Sequence, residues 1–135
     1  MKNKFKSILT SIDNDISLIA KKKESIKLLI VTKSQDVRDI QILIDSGYHI
    51  FGENYLQEAI NKIQILSKTQ TEWHFIGKIQ SNKISDIVKY FDFIQTLSNL
   101  KHATLIDKEA VWQLSSLVYD IFIFLCSVLM LFWSI

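Results

Sequence analysis

The sequence predicts an α/β fold in which short parallel strands alternate with helices. Short apolar runs begin near residues 28, 48, 72 and 92, and segments with apolar residues at helical spacing follow them. Polar or glycine residues cluster directly after each run. This alternation is typical of right-handed βαβ units. We expect about four βα units after an N-terminal helix, forming either the N-terminal half of a (β/α)8 TIM-type barrel or an open doubly wound sheet.

Length and composition limit the class of protein. The chain has 135 residues, about half of a complete barrel, and 48% of them are hydrophobic. A net charge of +2 argues against a nucleic-acid-binding protein. Cys126 is the single cysteine, so an intrachain disulfide is impossible and no metal site is suggested. The lysine-rich amino terminus has no apolar core of a secretory signal, and we expect a cytoplasmic protein.

The first predicted helix covers residues 3–22 and carries one apolar stripe, formed by Phe5, Ile8, Leu9, Ile12, Ile16 and Ile19. The first strand follows at about residues 27–32, and its apolar run indicates burial on both faces. Ser34 is a candidate N-cap for the second helix, and Gly47 is placed to end that helix in a left-handed conformation.

The rest of the chain repeats this arrangement. Further strands are predicted at Tyr48–Phe51, Glu72–Ile76 and Phe91–Gln95. Helices are predicted to begin after Asn54, at Ser81, and at Ser98 or Asn99. Asn54 would cap its helix with Gln57 as the capping-box partner. Glu53 and Glu58 lie near that helix start, where acidic residues stabilise the helix dipole.

Lys33 is the residue that this pattern marks for chemistry. It ends the first predicted strand, and ligands bind at the carboxyl ends of parallel strands. An amine that is partly desolvated at the rim of a core loses its proton more easily than a surface amine. Lysines that form Schiff bases need that property. Taken without its neighbours, Lys33 is better interpreted as a solvated lysine that ends a strand.

The composition changes at residue 111. Residues 111–135 contain a single charge, Asp120, and 13 of the last 15 residues are apolar. Three interpretations of this helix-like tail stay open: a membrane anchor, a fifth strand and helix of the barrel, or a frameshift product unrelated to the fold. An anchor that begins at Leu114 is long enough to span a bilayer only if it buries Asp120.

Four motifs carry a resemblance to a known family. They are Leu28–Ser34, Phe51–Tyr55 with Gln57 and Glu58, Glu72–Gly77, and Gln80–Lys83. In this order and spacing they resemble the pyridoxal phosphate homeostasis proteins, which share their fold with the amino-terminal barrel of alanine racemase. The resemblance covers about residues 5–108. It implies a partial barrel domain over residues 1–110 and an unrelated tail over residues 111–135.

The resemblance implies a site for pyridoxal 5′-phosphate (PLP). The lysine that ends the first strand, Lys33 here, carries the cofactor as an aldimine. Asn54 lies beside the cofactor, and His74 and Asn82 line the same mouth. Members of this family hold and deliver the cofactor and are not established catalysts. We therefore expect a cofactor carrier in PLP homeostasis, with no catalytic residue, no metal and no racemase activity.

One departure from the family is evident. The family fixes the cofactor phosphate with residues of later strands, and nothing after residue 110 resembles them. We therefore expect a truncated and impaired member. The alternatives are a non-functional remnant and a protein anchored to a membrane by the 111–135 tail. PLP is the expected partner, a membrane is expected only through the tail, and no oligomer is indicated.

Overall fold

The computed structural model describes residues 2–19 and 26–111, which form an α/β fold with a parallel sheet. The elements in chain order are α1 (Lys2–Ile19), β1 (Ile30–Val31), α2 (Val37–Asp45), β2 (Ile50–Glu53), α3 (Leu56–Ile65), β3 (Glu72–Phe75), α4 (Ile84–Tyr90), β4 (Phe93–Ile94) and α5 (residues 100–111). A 3-10 helix, Ser81–Lys83, precedes α4. The predicted alternation of strands and helices is confirmed. The apolar tail from residue 112 onward lies outside the described residues.

The four strands are parallel and lie in the order β1-β2-β3-β4. Each strand therefore pairs with the one that follows it along the chain. In a doubly wound sheet the strand order reverses at a switch point, whereas a (β/α)8 barrel keeps sequential order. No reversal occurs among the described strands.

The two faces of the sheet differ in what they carry. Glu53 pairs in register with Phe75, and Phe51 with Trp73, so these four side chains share one face. Glu53 contacts Lys62 of α3, which identifies this side as the α3 face. The opposite face carries the alternate positions, namely Val31, Gly52, His74 and Phe93.

Aromatic rings fill much of the α3 face. Phe51 and Trp73 lie with ring centroids 5.3 Å apart, and Phe75 meets Phe91 edge-to-face at 5.2 Å. All four side chains are buried. We call these residues the aromatic cluster. Such ring pairs contribute about 0.5–1.5 kcal/mol each beyond the burial of their area.

Two helix caps differ from the prediction. Asp36, not Ser34, caps α2 by accepting the Arg38 N–H at 2.8 Å. Ser34 lies in a turn with a φ of 58°, so its side chain is not placed to cap. Tyr55, not Asn54, is the N-cap residue of α3 and makes no side-chain cap. Gly47 has a φ of 91° after α2, which confirms its predicted left-handed conformation.

The expectation that β1 is buried on both faces was wrong. Val31 is 47% exposed, and β1 is an edge strand that pairs only with β2 in the described sheet. Part of its apolar surface borders a cleft of about 310 Å³ between α1, β1 and α2, lined by Ile8, Leu9, Ile30, Val31, Ile40 and Leu43 among others. The edge position explains the exposure, because a strand loses burial on the side where no further strand pairs.

The chain divides into two compact units. The first runs to Gly77 and includes Phe91–Gln95, so it holds the whole sheet with α1, α2 and α3. The second contains Lys78–Tyr90 and resumes at Thr96, so it holds α4 and α5. The predicted domain boundary between residues 110 and 111 stays a prediction.

In the second unit the helix assignments follow the sequence. Ile84 and Ile87 of α4 are buried, as their spacing predicts. Asn99 caps α5, since its Oδ1 accepts the His102 N–H at 2.8 Å. None of the helices within residues 2–19 and 26–111 is long and apolar enough to cross a membrane. The anchor prediction concerns the tail and therefore falls outside this range.

Candidate functional site

Lys33 lies in a β-turn directly beyond β1. The Thr32 N–H donates to the Gly52 carbonyl at 3.0 Å and extends the ladder by one residue. The Gln35 N–H then donates to the Thr32 carbonyl at 3.1 Å and closes the turn, with Lys33 second and Ser34 third. The Lys33 side chain is exposed, so the expected partial desolvation at the rim of the core was wrong. The turn carries Lys33 past the edge of the sheet, where solvent reaches it.

A cluster of ions lies on the α3 face under this turn. Lys62 of α3 donates to Glu53 Oε1 at 2.8 Å, to Glu58 Oε1 at 2.5 Å and to the Thr32 carbonyl at 2.7 Å. Thr32 Oγ1 also donates to Glu53 Oε1, at 2.7 Å. Lys62 is 4% exposed and Glu53 is wholly buried. We call Thr32, Glu53, Glu58 and Lys62 the ion cluster.

The ion cluster places one ammonium against two carboxylates. The hydrogen bond from Lys62 is the largest influence on Glu58 and lowers the pKa of that carboxyl. The Ser34 N–H lowers this pKa further by donating to Glu58 Oε1 at 2.6 Å, while partial burial opposes the shift. Glu53 Oε2 is buried and has no hydrogen-bond partner among the described residues. Ions buried in this way are stable only when their partners are closely matched.

His74 is held in the sheet by both ring nitrogens. Its Nε2 lies 2.8 Å from Glu72 Oε1, and its Nδ1 lies 2.8 Å from the Gln95 side-chain nitrogen. The Gln95 nitrogen is a donor, so Nδ1 accepts and Nε2 donates to Glu72. That hydrogen bond is the main reason that the pKa of Glu72 is lowered. The ring also stacks on Phe93, with centroids 4.7 Å apart.

Asn54 follows β2 at the carboxyl edge of the sheet. Its side-chain Oδ1 is buried and has no hydrogen-bond partner within the described part of the chain. The backbone of Asn54 passes so close to Gly77 that any Cβ at that position would collide with the Asn54 carbonyl. Glycine at position 77 therefore allows the backbones of the loops after β2 and β3 to approach each other this closely.

Three of the four predicted site residues belong to the first unit. Val31, Gly52 and His74 form one row across the face opposite α3. Lys33 and Asn54 come two residues after the first two members of this row, so both emerge at the carboxyl edge of neighbouring strands. Asn82 belongs to the second unit, where it is exposed in the 3-10 helix. Its predicted role stays a prediction.

The sequence reasoning missed Lys62. Two signals for it were present in the sequence. Lys62 follows Glu58 by four residues, the spacing of a helical ion pair. It also falls three residues after the buried Ala59, on the stripe that α3 turns inward. A lysine on an apolar stripe implies a buried partner, and here that partner is Glu53.

No family model matches this chain. It is 50% identical over 86 residues to the pyridoxal phosphate homeostasis protein of Buchnera aphidicola subsp. Schizaphis graminum. These 86 residues cover 63% of this chain and 38% of the relative. It is 41% identical over 114 residues to the protein of the same name from Buchnera aphidicola subsp. Baizongia pistaciae, covering 84% of this chain and 49% of the relative. The chain thus spans less than half the length of these relatives.

A solved structure agrees with the sequence comparison. PipY of Synechococcus elongatus PCC7942, solved with PLP bound, superposes with a TM-score of 0.66 at 34% identity, covering 72% of this chain and 46% of that one. The resemblance drawn from the four motifs is confirmed.

Proposed function

This chain is homologous to the pyridoxal phosphate homeostasis proteins, and we propose that it binds PLP through the amine of Lys33 and serves as a carrier of that cofactor. The observation that carries the proposal is the position of Lys33. It is an exposed amine at the carboxyl edge of a parallel sheet, in a turn whose backbone is bonded to the side chains of Glu58 and Lys62 in α3. Ligands bind at this edge in α/β folds.

The residues around Lys33 suit the proposed ligand. When bound, PLP supplies an aldehyde whose carbonyl carbon a lysine amine attacks, with loss of one water. The exposed Lys33 amine is accessible for this attack. Asn54 offers a buried acceptor, Oδ1, that has no protein partner in the described range. His74 offers a ring whose orientation is fixed by Glu72 and Gln95.

We also propose that the sheet is a segment of a (β/α)8 barrel. The sequential order of its four parallel strands supports this, because a doubly wound sheet reverses its order. Carriage of a cofactor requires binding and release rather than turnover, so the proposal assigns no catalytic residue. A cytoplasmic location stays a prediction.

A spectrophotometric titration with PLP tests the proposed function. Three proteins are compared: the wild-type chain, Lys33→Ala, and Lys68→Ala as a matched control at another exposed lysine of the first unit. We expect a saturable absorbance change in the wild-type and control proteins, and its loss in Lys33→Ala. Equal saturable binding by Lys33→Ala would contradict the assignment of Lys33.

A further inference from the structure

The backbone on both sides of Lys33 is held by side chains of α3. On the amino-terminal side, the Thr32 carbonyl accepts a hydrogen bond from Lys62 Nζ at 2.7 Å. On the carboxyl-terminal side, the Ser34 N–H donates to Glu58 Oε1 at 2.6 Å. Lys62 and Glu58 are themselves bonded to each other at 2.5 Å. Two residues one helical turn apart therefore hold the two peptide groups that flank Lys33.

We propose that Glu58 and Lys62 are positioning residues that hold the Lys33 turn in the conformation that presents its amine to PLP. This inference rests on the proposed function, since it concerns how the same lysine is presented. Neither residue is assigned a contact with the cofactor. Their action is on the backbone of the turn, through Thr32 and Ser34.

The turn needs such support because of its backbone conformation. Ser34 has a φ of 58°, in the left-handed region that residues with a Cβ adopt only at a cost in energy. Its N–H points to Glu58 rather than into the α2 helix, which Asp36 caps instead. One hydrogen bond within the turn, from the Gln35 N–H to the Thr32 carbonyl, closes it. The hydrogen bond from the Ser34 N–H to Glu58 adds a second restraint that offsets the cost of the Ser34 conformation.

Lys62 is placed to hold the backbone of the turn rather than to react with an aldehyde. An ammonium has three N–H bonds, and those of Lys62 go to the Thr32 carbonyl, Glu53 and Glu58. The side chain is 4% exposed, so an aldehyde in solution does not reach it. By contrast, Lys33 is exposed. The structure thus separates an accessible lysine from a buried one that fixes its backbone.

Packing alone does not account for the charges under the turn. The other buried residues of α3, Leu56 and Ala59, are apolar. Replacing buried ion pairs by apolar residues of similar volume is often neutral or stabilising. Apolar side chains at positions 53 and 62 together would therefore fill this space without the cost of burying an ion pair. The charge of Lys62 is instead explained by its hydrogen bonds to the Thr32 carbonyl and to the carboxylates of Glu53 and Glu58.

The test uses the full chain and two readouts. The first is hydrogen exchange of the Ser34 amide measured by NMR, which needs no cofactor. The second is the ratio of label on Lys33 to label on Lys68 after treatment with PLP and borohydride, mapped by mass. The variants are Glu58→Ala, which removes the acceptor, Glu58→Gln, which keeps an acceptor oxygen, and Lys62→Met. Lys68→Met is the matched surface control for the exchange experiment.

We expect Glu58→Ala and Lys62→Met to speed Ser34 exchange and to lower the labelling ratio, each by about tenfold, the effect of losing a hydrogen bond to a charged group. Glu58→Gln should restore most of both readouts, because its side-chain oxygen can still accept the Ser34 N–H. Rescue of this kind separates positioning from a loss of global stability. Should Lys62→Met fail to fold, the two Glu58 variants alone decide the matter.

Unchanged exchange and an unchanged ratio in Glu58→Ala would overturn the proposed positioning role. Loss of both readouts in Glu58→Gln to the same extent as in Glu58→Ala would also overturn it. If the wild-type chain shows no preference for Lys33 but Ser34 exchange responds as expected, the proposed PLP function fails while the α3 residues still hold the turn. The two failures are thus distinguishable.

Discussion

The ion cluster and the aromatic cluster lie on the same face of the same sheet but differ in chemistry. Around Phe51, Trp73, Phe75 and Phe91 the sheet is covered by rings in contact. Under the Lys33 turn it is covered by Lys62 and its carboxylate and carbonyl partners. Phe75 and Glu53 are even register partners on adjacent strands. One sheet face thus changes from apolar to ionic between neighbouring strands.

The two clusters therefore differ in their contribution. The aromatic cluster stabilises the fold, whereas the ion cluster positions the backbone around Lys33. Apolar burial contributes to folding wherever it occurs, and the aromatic cluster needs no special orientation to supply it. An ion cluster contributes little net stability, but it fixes the positions of the groups that it bonds. Because those groups include both peptide neighbours of Lys33, the structure uses directional bonds where a backbone has to be placed.

The largest loss of stability is expected in the aromatic cluster. Phe75→Ala removes a buried ring and leaves a cavity, which should lower the free energy of unfolding by about 3–5 kcal/mol. The Lys33-to-Lys68 labelling ratio should stay unchanged in the fraction that remains folded. Urea denaturation followed by circular dichroism measures the loss. A large change in the labelling ratio of folded Phe75→Ala would show that the aromatic cluster also positions Lys33.

In the ion cluster, a single substitution should be more harmful than a double one. Lys62→Met leaves Glu53 buried without its counter-ion and should cost about 3 kcal/mol, the lower end for a broken buried pair. The double variant Glu53→Leu/Lys62→Met should be the more stable of the two, because the wholly buried carboxylate is removed together with its counter-ion and only the partly exposed Glu58 loses its partner. Urea denaturation of both proteins and of the wild type provides the comparison. A double variant that is less stable than Lys62→Met would show that the charges themselves stabilise the fold.

Much of this fold was predictable from the sequence. The four strands, their parallel direction and the left-handed Gly47 follow from the spacing of apolar residues and from turn chemistry, whereas the sequential order of the strands was one of two alternatives left open. The caps at Ser34 and Asn54 were predicted wrongly because capping competes with tertiary bonds. The Ser34 amide goes to Glu58, and the Asn54 backbone packs against Gly77. A local sequence pattern carries no information about such partners.

The candidate site was predictable only in part. Lys33 was identified from the end of an apolar run, and the resemblance carried by the motifs implied the ligand that we propose for it. Lys62 was not identified, because its role depends on an ion pair with Glu53, which is nine residues away and on a different element. The exposure of Val31 was not foreseen either, since a run of apolar residues does not reveal which strand lies at an edge.

A smaller effect is expected where α1 meets the loop before β2. Tyr48 donates to Asp13 Oδ2 at 2.6 Å, and this hydrogen bond, with burial, raises the pKa of Tyr48 to about 12. Because the acceptor is charged, Tyr48→Phe should lower the free energy of unfolding by about 1.5 kcal/mol. The Lys33-to-Lys68 labelling ratio should not change. The contact lies away from the ion cluster, so it serves as a control for that cluster.

The pH dependence of the same contact has a definite sign. A raised pKa means that the folded state binds the tyrosine proton more tightly than the unfolded state does. The contribution is therefore complete below the ordinary tyrosine pKa of about 10 and is lost as the pH rises towards 12. Wild type and Tyr48→Phe should converge in stability above pH 10. A constant difference up to pH 12 would contradict this assignment.

The smallest effect on stability is expected for Glu58. Its side chain is about a third exposed, so Glu58→Gln should cost only about 0.5 kcal/mol at neutral pH. Because the pKa of Glu58 is lowered in the folded state, this contribution is present above the ordinary glutamate pKa and is lost as the pH falls below it. Urea denaturation at pH 7 and at low pH checks the trend. A growing difference at low pH would have the wrong sign.

The central claim is that Lys33 is the lysine that takes up PLP. The most direct measurement is to incubate the wild-type chain with limiting PLP, reduce with borohydride, digest, and map the modified lysines by mass. We expect the label predominantly on Lys33, and we expect Lys33→Ala to lose it. Label distributed over Lys21–Lys23 and other lysines, with no preference for Lys33, would show that Lys33 is not the lysine that takes up PLP.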